Sequence, residues 1–460
     1  MASVQRRENS AETDLDFAMR PVPPEERCSR GAMMMASWAI SSGVIFFVIA
    51  AALAQGFGAK NAIIGLVLSV ITFSIVNAAL TRYAIRTGTS VSLLSGDLFG
   101  KKGASLATLI FFLTAIYYGV FESSVIAVGI SETFKEISYP LAALIVVVYS
   151  IILMLGTIQN WLSKINTVLF PLFIIGLLAA VVMAIGEYGY SNAWLSVGPE
   201  GGAPAYGWWD CFVAYMGVWI ILMYAFDFAR FGREEDSGFH IYFTFGLPFY
   251  GLTLLVNGLV GIFLVGTVPL EGGLSEVSVL IALLKLMGVA GLLFVWVTQT
   301  RINTANFQMA IVNMKGFAAQ VFNLRMPKFV WAIIVGGAVF LLMLADVFSF
   351  LFAALAYQGI FVVAWVAIAV SHIVGGREQR LVHNDSEWSD VALPDFNAAG
   401  LVAWFVSVII GTCIYLFGAN FASFSAPATA IIAASLYLGL QQVAQARNKT
   451  SLVKDTASVQ

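Results

Sequence analysis

The chain has 460 residues, 60% apolar and 11% charged. A soluble protein carries roughly 25% charged residues, so this one lacks the polar surface that water demands, and the same apolar fraction excludes collagen-like and disordered chains. The formal net charge of −2 gives no electrostatic ground for a nucleic-acid partner.

Apolar runs long enough to cross about 30 Å of hydrocarbon recur along the sequence. After a polar tail, 1–32, spans are predicted near 33–57, 61–84, 104–130, 138–157, 165–186, 208–230, 240–267, 286–312, 329–345, 347–372, 398–417 and 421–441, followed by a second polar tail, 442–460. This is the pattern of an all-α polytopic membrane protein with 12 transmembrane helices. The longest connections are 187–207, rich in Gly, Pro and aromatics, and 373–397, rich in charge. The N-terminal tail has no apolar core and no small-residue cleavage site, so a signal peptide is not expected. Cys28, Cys211 and Cys413 are scattered without metal-ligand spacing, which suggests neither a zinc site nor a disulfide framework. With the N-terminus inside, basic residues such as Arg27, Arg86, Lys101, Lys102, Arg233 and Lys315 crowd the inner segments, while outer connections hold only Lys60 and Lys135. Both termini are therefore expected to be cytoplasmic.

Two spans are interrupted at similar depth. The first carries Ser41-Ser42-Gly43 within Trp38–Val44, and the sixth carries Gly217 within Tyr215–Trp219. Glycine in corresponding segments of two halves points to discontinuous helices in a transporter, although small residues also ease helix packing.

Three further segments carry a resemblance. Arg20-Pro21-Val22-Pro23-Pro24-Glu25-Glu26-Arg27 resembles the Pro-rich segment before the first span of cytosine permeases. Arg86-Thr87-Gly88-Thr89, followed by Asp97-Leu98-Phe99-Gly100-Lys101-Lys102-Gly103, resembles their loop between spans two and three. Asp227-Phe228-Ala229-Arg230-Phe231-Gly232-Arg233, closing the sixth span, is similar to a signature of the nucleobase:cation symporter-1 family, and Asn303 to Asn313 lies where that family has an Asn-rich eighth span. The likeness runs over roughly 20–372. It implies a LeuT-type fold with inverted repeats at 33–186 and 208–372, two extra helices at 398–441, and uptake of a nucleobase or related planar N-heterocycle by alternating access. Members carry purines, pyrimidines, hydantoins, allantoin or thiamin-related compounds, usually with Na⁺ or H⁺.

A planar heterocycle needs aromatic faces and a few hydrogen-bonding groups in an apolar pocket. Broken helices free N–H and C=O groups at the midplane, which Ser41, Ser42 and Gly43 on the first span and Gly217 and Trp219 on the sixth would supply, with Gln299 on the eighth. The resemblance makes Tyr118 a stacking aromatic; by itself it reads rather as a packed or interfacial tyrosine. Glu122 lies one helical turn beyond Tyr118 on the same face, deep in an apolar run. An unpaired carboxylate there costs several kcal/mol unless it is protonated, so it is read as a partner for substrate N–H groups or a proton-coupling site, the alternatives being a structural pair or a neutral Glu bonded to Ser123 or Ser124. Arg301 sits in the most polar stretch of any span, Trp296–Asn306. In sodium-coupled members this region and the first break form the cation site, which matches Ser41 and Val44 with Thr300, Asn303 and Thr304. A guanidinium there departs from the family pattern: Arg301 could replace Na⁺, pair with Glu122 or bind a substrate carboxylate. Asp227 and Arg230, at i and i+3, read as gate or loop-anchoring residues. His240, His372 and His383 fall at or beyond inner span ends, which argues against haem ligation and a His proton relay.

The spans hold no paired aspartates, Ser–His dyad or metal cluster for intramembrane hydrolysis, and no GxxxxGK[ST] loop for ATP. Not an enzyme but a secondary transporter is expected, with no cofactor, no metal, a coupling ion of H⁺ or Na⁺, a heterocyclic cargo, and a monomer in the bacterial inner membrane. The alternatives are a carboxylated heterocycle or amino-acid-like solute with Arg301 as counter-ion, or a Na⁺ symporter of cytosine or purines.

Overall fold

A computed structural model describes residues 20–155, 158–270, 277–324, 326–345, 350–375 and 394–457. Most of the expected N-terminal tail, His383 and the charged 376–393 segment lie outside these residues. The described chain is helical, its one β-bridge joining Cys28 to Gly232. In chain order the helices are α1 (Arg30–Ser37), α2 (Ile45–Phe57), α3 (Ala59–Thr87), α4 (Val91–Phe99), α5 (Ala104–Thr133), α6 (Tyr139–Leu155), α7 (Ile158–Tyr188), α8 (Gly207–Met216) and α9 (Ile220–Ala229). They continue as α10 (Glu234–Thr267), α11 (Ser278–Met287), α12 (Val289–Val321), α13 (Lys328–Met343), α14 (Leu351–Val374), α15 (Ala398–Phe417) and α16 (Ser425–Ala457).

Seven helices are long and apolar enough to cross a membrane, or nine when α1–α2 and α8–α9 each count as one bent span. The expected fourth and ninth spans are the short apolar helices α6 and α13. The expected eighth is α12, whose central polar residues lower its hydropathy. Length and composition therefore support nine of the twelve expected spans directly.

Both interruptions are real breaks. The first span bends by 41° between α1 and α2 and the sixth by 42° between α8 and α9. Over Trp38–Ser42 the chain tightens into a 3₁₀ turn, then Gly43 is extended at φ −66°, ψ 128°. Ser41 and Ser42 promote this by turning their hydroxyls onto the Trp38 and Ala39 carbonyls at 2.7 and 2.9 Å, competing with the helical ladder. In the sixth span, Gly217, Val218 and Trp219 all bond three residues back. Gly217 has an ordinary φ of −61°, so conformational freedom is not what it supplies. It supplies closeness, since a Cβ there would sit 2.3 Å from the Leu355 carbonyl oxygen of α14. Span seven, by contrast, contains two π-helical turns, His240–Thr244 and Gly251–Val256, that hydropathy does not reveal.

Two apolar cores result. One is built mainly from α2, α3, α8–α10 and α14; the other joins α5, α6, α12 and α13. Helix α5 contributes to both, Tyr118, Phe121 and Val125 to the first and Val120, Ile126 and Ala127 to the second. Its polar residues Glu122, Ser123 and Ser124 thus lie where the two cores meet.

Replacing Gly217 by Ala should destabilise the protein by about 1–3 kcal/mol, because the methyl meets backbone that cannot swing away. Thermal unfolding in detergent checks this against Gly31→Ala, where nothing lies within 4 Å and no loss is expected.

Candidate functional site

The polar centre is assembled around the break in the first span. Val44 N–H donates to Gln299 Oε1 at 2.9 Å, and Gln299 Nε2 donates to Glu122 Oε2. One amide thus ties the start of α2 to α12 and α5. The other carboxylate oxygen, Glu122 Oε1, is buried without a hydrogen-bond partner, and lies 3.3 Å from where a Cβ on Gly43 would be. One turn along α12, Asn303 Nδ2 donates to Ser123 Oγ at 2.8 Å while Asn303 Oδ1 is likewise without a partner. On the far side of the break, Asn257 of α10 donates from Nδ2 to the Ser41 carbonyl at 2.7 Å and to the Thr253 carbonyl at 3.2 Å. Ser42 Oγ, besides its local bond, reaches the Thr298 carbonyl at 3.4 Å.

Ser41, Ser42, Glu122, Asn257 and Gln299 are 0% exposed, so the centre is sealed from solvent. Burying this much polarity requires that hydrogen bonds be made inside, and the amides supply them. Against this background the unpartnered acceptors on Glu122 and Asn303 are conspicuous: they could take N–H groups from a bound molecule. The two aromatics expected to face a ring, Tyr118 and Trp219, are each 6% exposed. Tyr118 donates its hydroxyl to Gln358 Oε1 of α14 at 3.0 Å and meets Tyr117 edge-on. Trp219 packs edge-on against Phe73, which in turn contacts Tyr250, and its ring N–H is buried without a partner.

The structure brings Ser41, Ser42, Gly43, Val44, Glu122 and Gln299 together. It does not bring the whole expected cation set to the break. Thr300 Oγ1 shares a hydrogen bond with Tyr149 of α6 at 3.0 Å, and Thr304 Oγ1 donates back to the Thr300 carbonyl at 2.7 Å. Residues 299 and 300 are about 100° apart on a helix, so facing Gln299 to the break turns Thr300 to α6. Arg301 is 2% exposed, and of the three readings open for it the pairing with Glu122 is not the arrangement found, since that carboxylate bonds to Gln299. The groups freed by the break are held by two neutral amides, where the sequence suggested a guanidinium.

Asp227 and Arg230 lie away from this centre. Asp227 Oδ1 accepts from Val91 N at 2.8 Å and, with Ser90 as N-cap, closes the start of α4. Arg230 Nε donates to the Asp227 carbonyl at 3.1 Å and the guanidinium lies over the Phe231 ring. The Pro-rich N-terminal segment is bound to the same region: Val22 N donates to the Gly88 carbonyl at 2.9 Å and Cys28 N to the Phe231 carbonyl at 2.7 Å. Three of the segments that carried the resemblance, the Pro-rich one, the 86–89 loop and 227–233, are thus tied together. There the Cys28 thiol is pushed up by partial burial, against the lowering effect of Arg233.

No protein-family model matches the chain, and no curated protein matches it. Solved structures do. Mhp1, described as a nucleobase-cation-symport-1 family transporter and solved in a closed conformation with bromovinylhydantoin bound, aligns with a TM-score of 0.70 at 16% identity over 93% of this chain and 96% of its own. The chain has its fold. A Na⁺-coupled sialic acid symporter aligns at 0.61 and 11% identity, over 90% of this chain and 89% of its own. A manganese transporter of Eremococcus coleocola aligns at 0.53 and 13%, over 92% and 95%. At such identities the likeness establishes the fold, and the expected LeuT-type architecture is the one found.

Glu122, Gln299, Tyr118 and Trp219 were legible as polar or aromatic residues inside spans; Asn257, Gln358 and Tyr149 were missed. Asn257 and Gln358 each interrupt an otherwise apolar run, and that signal would have found them.

Asp227→Ala should leave Val91 N–H without its acceptor and lower stability by about 0.5–2 kcal/mol, while Asp227→Asn, which keeps an oxygen there, should recover most of the loss. Thermal melts of the three proteins check this, with bound ligand stabilisation expected to be equal in all.

Proposed function

We propose that the chain is a member of the nucleobase–cation-symport-1 family and imports a nucleobase or related planar N-heterocycle across the membrane by alternating access. The observation that carries this reading is the sealed carboxylate. Glu122 lies beside the broken first span, with one oxygen tied to Gln299 and the other without a partner, one helical turn from the buried ring of Tyr118. A structural pair would engage both oxygens; a ring presenting N–H groups to Oε1 and a face to an aromatic would complete the site. The fold shared with Mhp1, whose structure holds bromovinylhydantoin, supports a ring-shaped cargo.

Alternating access follows from the breaks. Two rigid halves on either side of a 41° or 42° bend can rock about the fixed centre, exposing it to one face of the membrane at a time. Coupling is assigned to a proton carried by Glu122, the one carboxylate among the described residues that is buried at the centre. The chain acts as a monomer in the bacterial inner membrane with both termini in the cytoplasm, an orientation that the crowding of Lys and Arg on the inner segments supports. A second reading keeps Arg301 in play: buried two residues from Gln299, it would serve as counter-ion to a carboxylated ring.

A thermal-shift screen of the purified protein separates these. Purines, pyrimidines or hydantoins at 100 times their Kd should add about 2.7 kcal/mol of apparent stability. Stabilisation by carboxylated imidazoles alone would replace the first reading with the second.

Glu122→Gln should reduce uptake of the ligand found by at least about tenfold and flatten its dependence on pH, since the amide cannot carry a proton. Uptake in proteoliposomes with a pH profile equal to that of the unmodified protein would remove Glu122 from the mechanism.

A further inference from the structure

Transporters with discontinuous helices use the carbonyls freed at a break to coordinate a coupling cation. In this chain the freed carbonyl of Ser41 already has a partner. Asn257 reaches across from α10 and donates Nδ2 to it at 2.7 Å, and the amide is oriented by a second carbonyl, that of Thr253, at 3.2 Å. Both acceptors are carbonyls, so the NH₂ end of the amide must face them. Asn257 is 0% exposed, as is Ser41.

A sodium ion needs oxygen lone pairs converging on one point; an amide NH₂ offers hydrogens there. Of the side chains expected to complete a cation site, the Thr300 hydroxyl is shared with Tyr149, Thr304 turns back to the Thr300 carbonyl, and Asn303 is held by Ser123 through Nδ2, with only Oδ1 left without a partner. One such oxygen and a capped Ser41 carbonyl do not make a Na⁺ site. The local build of α10 accounts for how Asn257 arrives. The π-helical turn Gly251–Val256 ends immediately before it, and the extra residue in such a turn re-aims the side chains that follow.

We propose that Asn257 determines ion coupling: its amide stands in for a cation at the Ser41 carbonyl, so that the first span is held across its break without Na⁺. The proposal rests on reading the sealed centre as the transport site. It makes a gain-of-function prediction, because Asn257→Asp would set a carboxylate oxygen against the Ser41 carbonyl, and two facing oxygens call for a cation between them.

The test uses the purified full chain at pH 8.5, melted in NaCl and in choline chloride of equal ionic strength, with Na⁺ as the probe. The unmodified protein should melt alike in both, within about 1 °C, whereas Asn257→Asp should be stabilised by Na⁺ over choline by at least about 3 °C, saturably. If Asn257→Asp does not fold, Asn257→Ala carries the test: it opens the Ser41 carbonyl and should gain a smaller Na⁺-selective shift. Na⁺-selective stabilisation of the unmodified protein, or variants that respond to both salts equally, would overturn the proposal. The readout is ion binding without substrate, so a heterocycle screen without hits would count against the transport reading and leave this result standing on its own.

Discussion

The structure depends on one constraint: a helix broken within the hydrocarbon must have its freed backbone groups satisfied by the protein, because lipid offers no hydrogen bonds. At the first span this falls to two side-chain amides on opposite sides of the break. Gln299 accepts from Val44 N–H and passes its own N–H to Glu122, while Asn257 donates to the Ser41 carbonyl. Through these bonds α1–α2 is tied to α5, α10 and α12. The placement of α10 and α12 around α2 can be read as the geometry needed to deliver an amide from each side.

The same constraint explains the second break differently. Around Gly217 the chain keeps bonding, but three residues back, so that less backbone is freed. What this turn needs is close contact with α14, where Leu355 and Gly359 lie against Gly217. One break is therefore held by polar bonds and the other by shape. A centre with one polar hinge and one packed hinge can change its aperture with little loss of buried hydrogen bonds, since packed surfaces slide more cheaply than amide–carbonyl pairs separate.

Glu122 gives the centre its chemistry. Its cost in an apolar interior is offset only in part by Gln299, which leaves Oε1 as a buried acceptor without a partner. The surface formed by Val22, Gly88, Cys28 and Phe231 is of another kind: backbone bonds there tie the N-terminal segment to the ends of the second and sixth spans.

Much of this was legible in the sequence. Apolar runs of span length, the small-residue interruptions at Ser41-Ser42-Gly43 and Gly217, and a carboxylate one turn from Tyr118 all follow from composition and helical spacing, because helix formation in lipid is decided locally. What a polar residue bonds to is not decided locally. Gln299 and Arg301 are neighbours in the same polar stretch, yet helix rotation turns the amide to the break and Thr300 to α6. Likewise Asn257 reads as one polar residue in an apolar run, and the π-helical turn that aims it at Ser41 leaves no mark in hydropathy. Local composition and spacing are enough to say that the chain spans a membrane, where two spans break and which polar groups lie buried. Which of those groups meet is set by the fold, because partner choice depends on helix rotation and packing between segments more than a hundred residues apart.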